Sequence, residues 1–404
     1  MAAMPRTRPW SGPAVLSYGF RPFFLLAGVQ AVWTLLVWTA FQLGLSELPA
    51  AWPPAAWHAH ELLFGYASAA LAGFLLTAVP NWTGRLPLSG LPLAGLAGLW
   101  LLGRLAVAAS GALPAPAVAV ATLLFPAALL LLTGREVVVG ANRRNYPVIG
   151  LVGLLLTAQL AFHLELSRAS PAPVAAHAAI AFYLLLILLI GGRIVPSFTT
   201  NWLRHARPGV PLPAPFGRFD RSTLGLAGFA LALLLVDRLV PLPPAVPGLA
   251  ALAAGLAHLV RLARWRPFAT LAEPLLWVLH LAYLFVPLGF LAAGAGLLRE
   301  LPGLLLASTH LWTVGGIGLM TLAVMTRATR GHTGRALHAP PATAAAYLAL
   351  AAAALLRAGA AVLPEAASLL VPTAGLLWLA AFSIFLCGYA PMLLSPRVPA
   401  GSPA

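Results

Sequence analysis

The chain is a succession of apolar runs, broken at clusters of Pro, Gly and Arg: 22–44, 59–80, 88–110, 114–133, 145–166, 174–194, 222–241, 243–262, 274–297, 303–325, 342–362 and 367–393. Each is about twenty residues, the helical length that crosses a hydrocarbon core of roughly 30 Å. The pattern predicts an all-α polytopic membrane protein with about twelve transmembrane helices, in one transmembrane helical domain over residues 1–404. The short connections at 111–113 and 241–243 leave room for a re-entrant pair. Arg6 and Arg8 precede the first run in the manner of a signal peptide. That run is full-length and has no small-residue cleavage site, so a retained first span is expected.

Composition agrees with the bilayer as solvent: 61% of the 404 residues are apolar and 8% charged. All 24 basic residues are Arg, and the formal charge of +15 must sit mostly in loops. No hydrophilic segment is long enough to gather that charge on an aqueous surface, which excludes a nucleic-acid binder. The single cysteine, Cys387, lies in the last run and excludes a disulfide framework or a Cys-based metal site. The spans also lack a Walker loop, a dinucleotide fingerprint and the paired intramembrane acids of ion-coupled carriers. Only Glu61 reads as an acid inside the bundle.

Arginine placement sets the expected orientation, because loops retained in the cytoplasm keep basic residues. The N-terminus, the even-numbered loops and the C-terminus carry nineteen, from Arg6 to Arg397. The opposite side has five: Arg104, Arg168, Arg238, Arg299 and Arg357. Both termini are therefore expected in the cytoplasm of a bacterial cell, with the chain in its inner membrane.

The cytoplasmic ends of helices 2, 6 and 10 read GFLLTAVPNWTGR from Gly73, GRIVPSFTTNW from Gly192 and GLMTLAVMTRATRGHTGR from Gly318. Each shares Gly, Thr and Arg, and each of these helices begins with histidine: His58 and His60, His177, and His310. The spacing suggests three four-helix units; chance likeness among Gly/Thr-rich helix ends is the alternative. Pro80 and Pro196, followed by Asn-Trp pairs, read as helix breakers with an interfacial aromatic.

Ten histidines against nine acids is a high ratio, and six lie in or at the edge of spans: His58, His60, His163, His177, His280 and His310. Imidazole in hydrocarbon is costly unless it is hydrogen-bonded or ligating, so these carry the candidate chemistry. In Trp57-His58-Ala59-His60-Glu61, residues two apart face different sides of a helix, so one imidazole points inward unless an unwound first turn lets both converge; the pair reads as metal or haem ligands or as an interfacial hydrogen-bonding cluster. Glu61 can orient a ligand through its other ring nitrogen. His60 and His310 enter their helices at matched depth, as an axial pair to one haem requires. His58, His163 and His177 are candidates for a second metal, copper among them; solvated loop histidines are the alternative for His163 and His177. His280 sits on a Trp/Leu stripe, as cofactor wall or ordinary packing. Arg193 pairs with a haem propionate or snorkels to the interface. His258, His205, His332 and His338 read as solvated or headgroup-facing.

Five segments then carry a resemblance: SYGFRPFF at 17–24, the run from Trp57 through Tyr66, AVPNWTG at 78–84, Gly191 through Thr199, and GHTGR at 331–335. Together they resemble the NnrS family of bacterial membrane proteins linked to nitric oxide, over most of the chain. The resemblance implies haem, of b type, and copper, a place in denitrifying metabolism and resistance to nitrosative stress, and nitric oxide or a nitrosyl species as the molecule bound or processed. The helix 2, 6 and 10 pattern is similar to the haem–copper oxidase core as well. This chain lacks the adjacent His pair of those enzymes, which argues against their binuclear centre. Whether there is turnover, with a redox partner, stays open; a multi-spanning transporter or copper carrier, and an assembly partner of a denitrification enzyme, are the rival readings.

The orientation is directly testable. A green fluorescent protein fused after Ala404 is expected to fluoresce and alkaline phosphatase fused there to be inactive; the reverse pattern would overturn the arginine count as a guide to sidedness.

Overall fold

The computed structural model describes residues 10–168 and 174–399. Arg6 and Arg8, and the loop 169–173 between the spans of His163 and His177, lie outside the described residues. The described chain is helical, with no strand, and twelve helices are long and apolar enough to cross a membrane. They are α1 (Phe20–Gln42), α2 (Pro54–Thr83), α3 (Leu91–Ala108), α4 (Ala115–Val139), α5 (Arg143–Ser167), α6 (Val174–Ala206), α7 (Arg218–Asp237), α8 (Ala245–Ala263), α9 (Pro274–Leu298), α10 (Pro302–His332), α11 (Pro341–Val362) and α12 (Pro364–Leu394). Every apolar run in the sequence became one of them.

Several boundaries moved, those of α2 and α6 for physical reasons. Helix α2 begins at Pro54, so His58 and His60 lie inside the span and not at its edge. Pro80 and Pro196 sit within α2 and α6 and do not end them, contrary to their reading as breakers. Each proline removes one rung, at Leu76 O and Gly192 O, while neighbouring rungs carry added side-chain donors, Asn81 Nδ2 to Thr77 O at 3.0 Å and Thr199 Oγ1 to Val195 O at 2.9 Å. Helix α2 stops instead at Gly84, whose φ of +72° only glycine adopts without strain.

Contacts divide the chain into two compact units: Met1–Ala179 with Met325–Ala336 and Phe385–Ala404, and Ile180–Val324 with Leu337–Ile384. In unit 1, α1 packs on α2, α3 on α4, and α4 on both α5 and α2. The α1–α2 contact is close because Gly73 leaves room for Phe24, whose ring carbon would lie 2.6 Å from a Cβ there. In unit 2, α8 packs between α7 and α9, α9 on α10, and α10 on α11. The α8 and α9 backbones approach closely. A Cβ on Gly255 would lie 3.0 Å from Pro287 O, and one on Gly294 would lie 2.7 Å from Gly248 O. Lipid offers no hydrophobic drive between helices, so small residues that let backbones approach supply the packing energy.

Three helices, α2, α6 and α10, each contain a π-helical turn: Glu61–Ala67, Ile187–Gly191 and Leu311–Gly318. These are the helices that the sequence repeat singles out, and no other described helix has one. A π turn loosens the carbonyl ladder and is found at functional sites more often than elsewhere. Here side chains take the loosened carbonyls. Trp100 Nε1 and Ser68 Oγ donate to Gly65 O, Arg261 Nη1 to Leu188 O, and Thr321 Oγ1 to Gly318 O.

The third turn has no room for a methyl group. A Cβ on Gly315 would lie 2.2 Å from Phe285 Cγ, whereas one on Gly95 meets nothing within 4 Å. Gly315→Ala is expected to lose about 1–3 kcal/mol by overpacking, read as a lower melting temperature in detergent, and Gly95→Ala to leave it unchanged.

Candidate functional site

The best-developed site in unit 1 is built where α2 enters its π turn. Helix α2 is the most buried of the twelve spans, which places His60 and Glu61 away from lipid and water. His60 is fully buried and Glu61 is 4% exposed. A buried carboxylate requires compensating charge and donors. Glu61 receives Arg104 Nη1 from α3, Gln30 Nε2 from α1 at 2.8 Å, and His60 Nδ1 at 3.0 Å. Gly65 permits this, because Arg104 Nη1 would lie 2.9 Å from a Cβ at that position.

The bond to Glu61 places the His60 proton on Nδ1. Nε2 is left with its lone pair, buried and without a hydrogen-bond partner. This is the arrangement metal-ligating histidines adopt, with the second ring nitrogen on a carboxylate. Rings enclose it: Trp52, Phe64 and Phe162 have centroids 5.0, 5.3 and 5.4 Å from that of His60.

His163, on α5, is the imidazole brought to His60, with ring centroids 5.4 Å apart and planes at 66°. It is 8% exposed, so the solvated reading does not hold. Its Nε2 meets Thr122 Oγ1 at 2.7 Å, and that hydroxyl donates to Ala119 O at 2.9 Å. His163 Nε2 is therefore the donor and Nδ1 the basic nitrogen. With metal–imidazole bonds near 2.0–2.1 Å, two rings sharing one ion have centroids roughly 4.5–6.5 Å apart, and the observed separation falls in that range. A group of three or more His, Cys, Asp or Glu side chains able to hold a metal ion is absent among the described residues.

The remaining predicted residues are placed as follows. His58 is half-buried and stacks on Trp38 of α1, with ring centroids 4.2 Å apart. His177 is half-buried near the start of α6, and Arg193 is half-buried two residues after the π turn of the same helix. His310 belongs to unit 2 and is half-buried, with Nδ1 bonded to Leu306 O at 2.9 Å. Like His60, it immediately precedes the π turn of its helix and keeps Nε2 as the basic nitrogen. His280 is 3% exposed; Nε2 donates to Thr199 Oγ1 at 2.9 Å, leaving Nδ1 buried and uncovered.

Unit 2 also holds a network that sequence reasoning missed. Asp220 near the start of α7 pairs with Arg261 of α8, Oδ1 to Nε at 3.0 Å, and both are buried. Arg261 Nη1 donates to Leu188 O at 3.1 Å and Tyr283 Oη at 3.0 Å, and Tyr283 in turn meets His258 Nδ1 at 2.7 Å. His258 is fully buried, not headgroup-facing, and Asp220 joins Glu61 as an interior acid. Arg104 and Arg261, counted as loop arginines, are interior counter-ions. The available signal was His258-x-x-Arg261, two polar residues on one face of an otherwise apolar helix.

Twelve apolar spans, with buried imidazoles among them, define an all-α integral membrane protein. Its family follows from comparison: residues 14–397 match the family described as NnrS protein, and the chain belongs to that family. Membership supports a membrane protein of the nitric oxide response. No curated protein matches it.

Breaking the Asp220–Arg261 pair leaves an uncompensated buried charge. Asp220→Asn is expected to cost about 3–5 kcal/mol, seen as loss of folded protein on thermal melting, and adding Arg261→Met is expected to recover most of it.

Proposed function

We propose that this protein acts in the response to nitric oxide and resistance to nitrosative stress by holding a metal at His60, in the bacterial inner membrane with both termini cytoplasmic. The observation that carries the proposal is the buried His60 Nε2, uncovered while Nδ1 is tied to Glu61. Copper is the ion the immediate surroundings favour, with His60 Nε2 and His163 Nδ1 as ligands, since imidazole suits that metal. When bound, copper supplies a redox-active centre able to accept a diatomic ligand. Haem iron uses the same donor atom, but a porphyrin is wider than the box of Trp52, Phe64, Phe162 and His163, whose rings must part to admit it. His310 and His280 are the candidate haem ligands of unit 2, each with one ring nitrogen fixed and the other basic.

The chain's own contribution is positioning and exclusion. Glu61 sets the tautomer of His60, Arg104 and Gln30 donate to the Glu61 carboxylate, and the aromatic rings enclose the imidazole. Nitric oxide partitions into apolar phases, so a site inside the helices is reached through the bilayer without an aqueous channel. A copper-carrier reading draws support from the same pair, because two imidazoles without a third protein ligand make an open site that exchanges its ion readily.

Metal analysis and visible spectra of the detergent-purified protein, with and without nitric oxide, test this. His60→Ala is expected to abolish one equivalent of metal and the response to nitric oxide, and Glu61→Gln to weaken metal affinity about 10–100-fold. Wild-type metal content and spectra in folded His60→Ala would sink the assignment; stoichiometric metal that exchanges within minutes would favour the carrier.

A further inference from the structure

The motifs at 17–24 and 331–335 take no part in the histidine site, yet they meet in unit 1 around the last described residues. Arg21, buried at the start of α1, donates from Nη1 to the carbonyls of Met392, Leu393 and Ser395 at 3.2, 2.9 and 2.6 Å, closing the end of α12. The chain then runs to Val398, whose N–H donates to Thr333 O at 3.0 Å. Gly334, at φ +79°, lies so close that a Cβ there would sit 2.4 Å from Val398 O. His332 is packed by Tyr18 and Phe20, with ring centroids 5.8 and 5.5 Å away.

Among the described residues of unit 1, this junction gathers positive charge and no paired counter-charge. Arg335 repels Arg21, and the charge of Arg397 acts on His332. Arg330 lies on the same turn, its Nε bonded to Ala336 O at 2.7 Å. None of these residues belongs to an ion pair seen among the described residues. The acids of the unit are engaged elsewhere: Glu61 at His60, Glu136 with Arg85, and Glu165 with Ala175 N. Glu47 follows the opposite end of α1. Two donors on the turn that closes α10 are buried without an acceptor, Arg335 Nη1 and Thr329 Oγ1. An unmet buried donor costs about 1–3 kcal/mol, more when charged, so cations assembled in this way call for an anionic acceptor. Burial pushes the Tyr18 phenol up, which keeps it an O–H donor beside them.

We infer that this junction is a phosphate-binding site, with Arg335 Nη1 as its first donor and Arg397, His332 and Tyr18 around the oxygens. Guanidinium N–H groups match phosphate oxygens in geometry and charge. Three helix ends meet here, the start of α1 and the ends of α10 and α12, so the site lies at a membrane surface where phospholipid phosphates are abundant. The phosphate is that of a lipid headgroup or inorganic phosphate, and the two are separable by experiment.

Native mass spectrometry of the full-length protein with phosphatidylglycerol reads lipid retention. Thermal melting in sodium phosphate against sodium chloride of equal ionic strength reads the inorganic ion. Wild type is expected to bind at least one probe, and Arg335→Gln and Arg397→Gln to weaken it about tenfold, while Arg204→Gln, at an exposed arginine of α6, leaves it unchanged. Lipid retention lost in the two variants identifies a headgroup site, and a melting shift by phosphate alone identifies the free ion. Arg397 is exposed, so its variant folds even if Arg335→Gln does not; circular dichroism checks both. Absence of binding by wild type, or equal binding by wild type and Arg397→Gln, would overturn the inference.

Discussion

An ionised carboxylate in the interior of a membrane protein persists only where the protein replaces the water it gave up. Glu61 is that constraint here, and three helices are organised around it. Gln30 reaches it from α1, Arg104 from α3 and His60 from the adjoining turn of α2, so one side chain fixes the mutual register of the first three spans. The same bond decides which nitrogen of His60 is basic. Structural necessity and ligand chemistry are therefore one arrangement: what keeps the carboxylate charged also prepares the imidazole. Asp220 and Arg261 do the comparable work in unit 2, joining α7, α8 and the π turn of α6.

The π turns tie this chemistry to the long-range pattern of the chain. They begin at Glu61, Ile187 and Leu311, one in every fourth span. In α2 and α10 a histidine stands directly before the turn. In α2 and α6 an arginine from another helix is set against the turn. A repeated distortion at a repeated spacing is harder to attribute to chance than shared Gly and Thr at helix ends. It gives the faint internal repeat a structural counterpart, although the contacts themselves fall into two units rather than three.

The spans were legible in the sequence because membrane thickness is a one-dimensional constraint that each run meets alone. His60 and Glu61 were legible for a similar reason, being adjacent residues that clash with hydrocarbon on their own. The approach of His163 to His60 was not, because it depends on how α2 and α5 pack. Arg104 and Arg261 were read as loop residues because hydropathy cannot tell a snorkelling arginine from one with a buried partner. Pro80 and Pro196 misled in the opposite sense: each removes one N–H from a helix that its remaining rungs and its packing hold together. The π turns leave no signature in apolar periodicity that these runs, apolar on most faces, could display.

Arg21 has a consequence for biosynthesis. It sits in α1, while the carbonyls that receive its guanidinium belong to Met392, Leu393 and Ser395, 371 to 374 residues further along the chain. Throughout synthesis of the intervening helices that charge has no native acceptor and must be held at the headgroup level or by the insertion machinery. Closure of α1 onto the end of α12 is thus a late step of folding, one that waits for a helix made eleven spans after the arginine it caps.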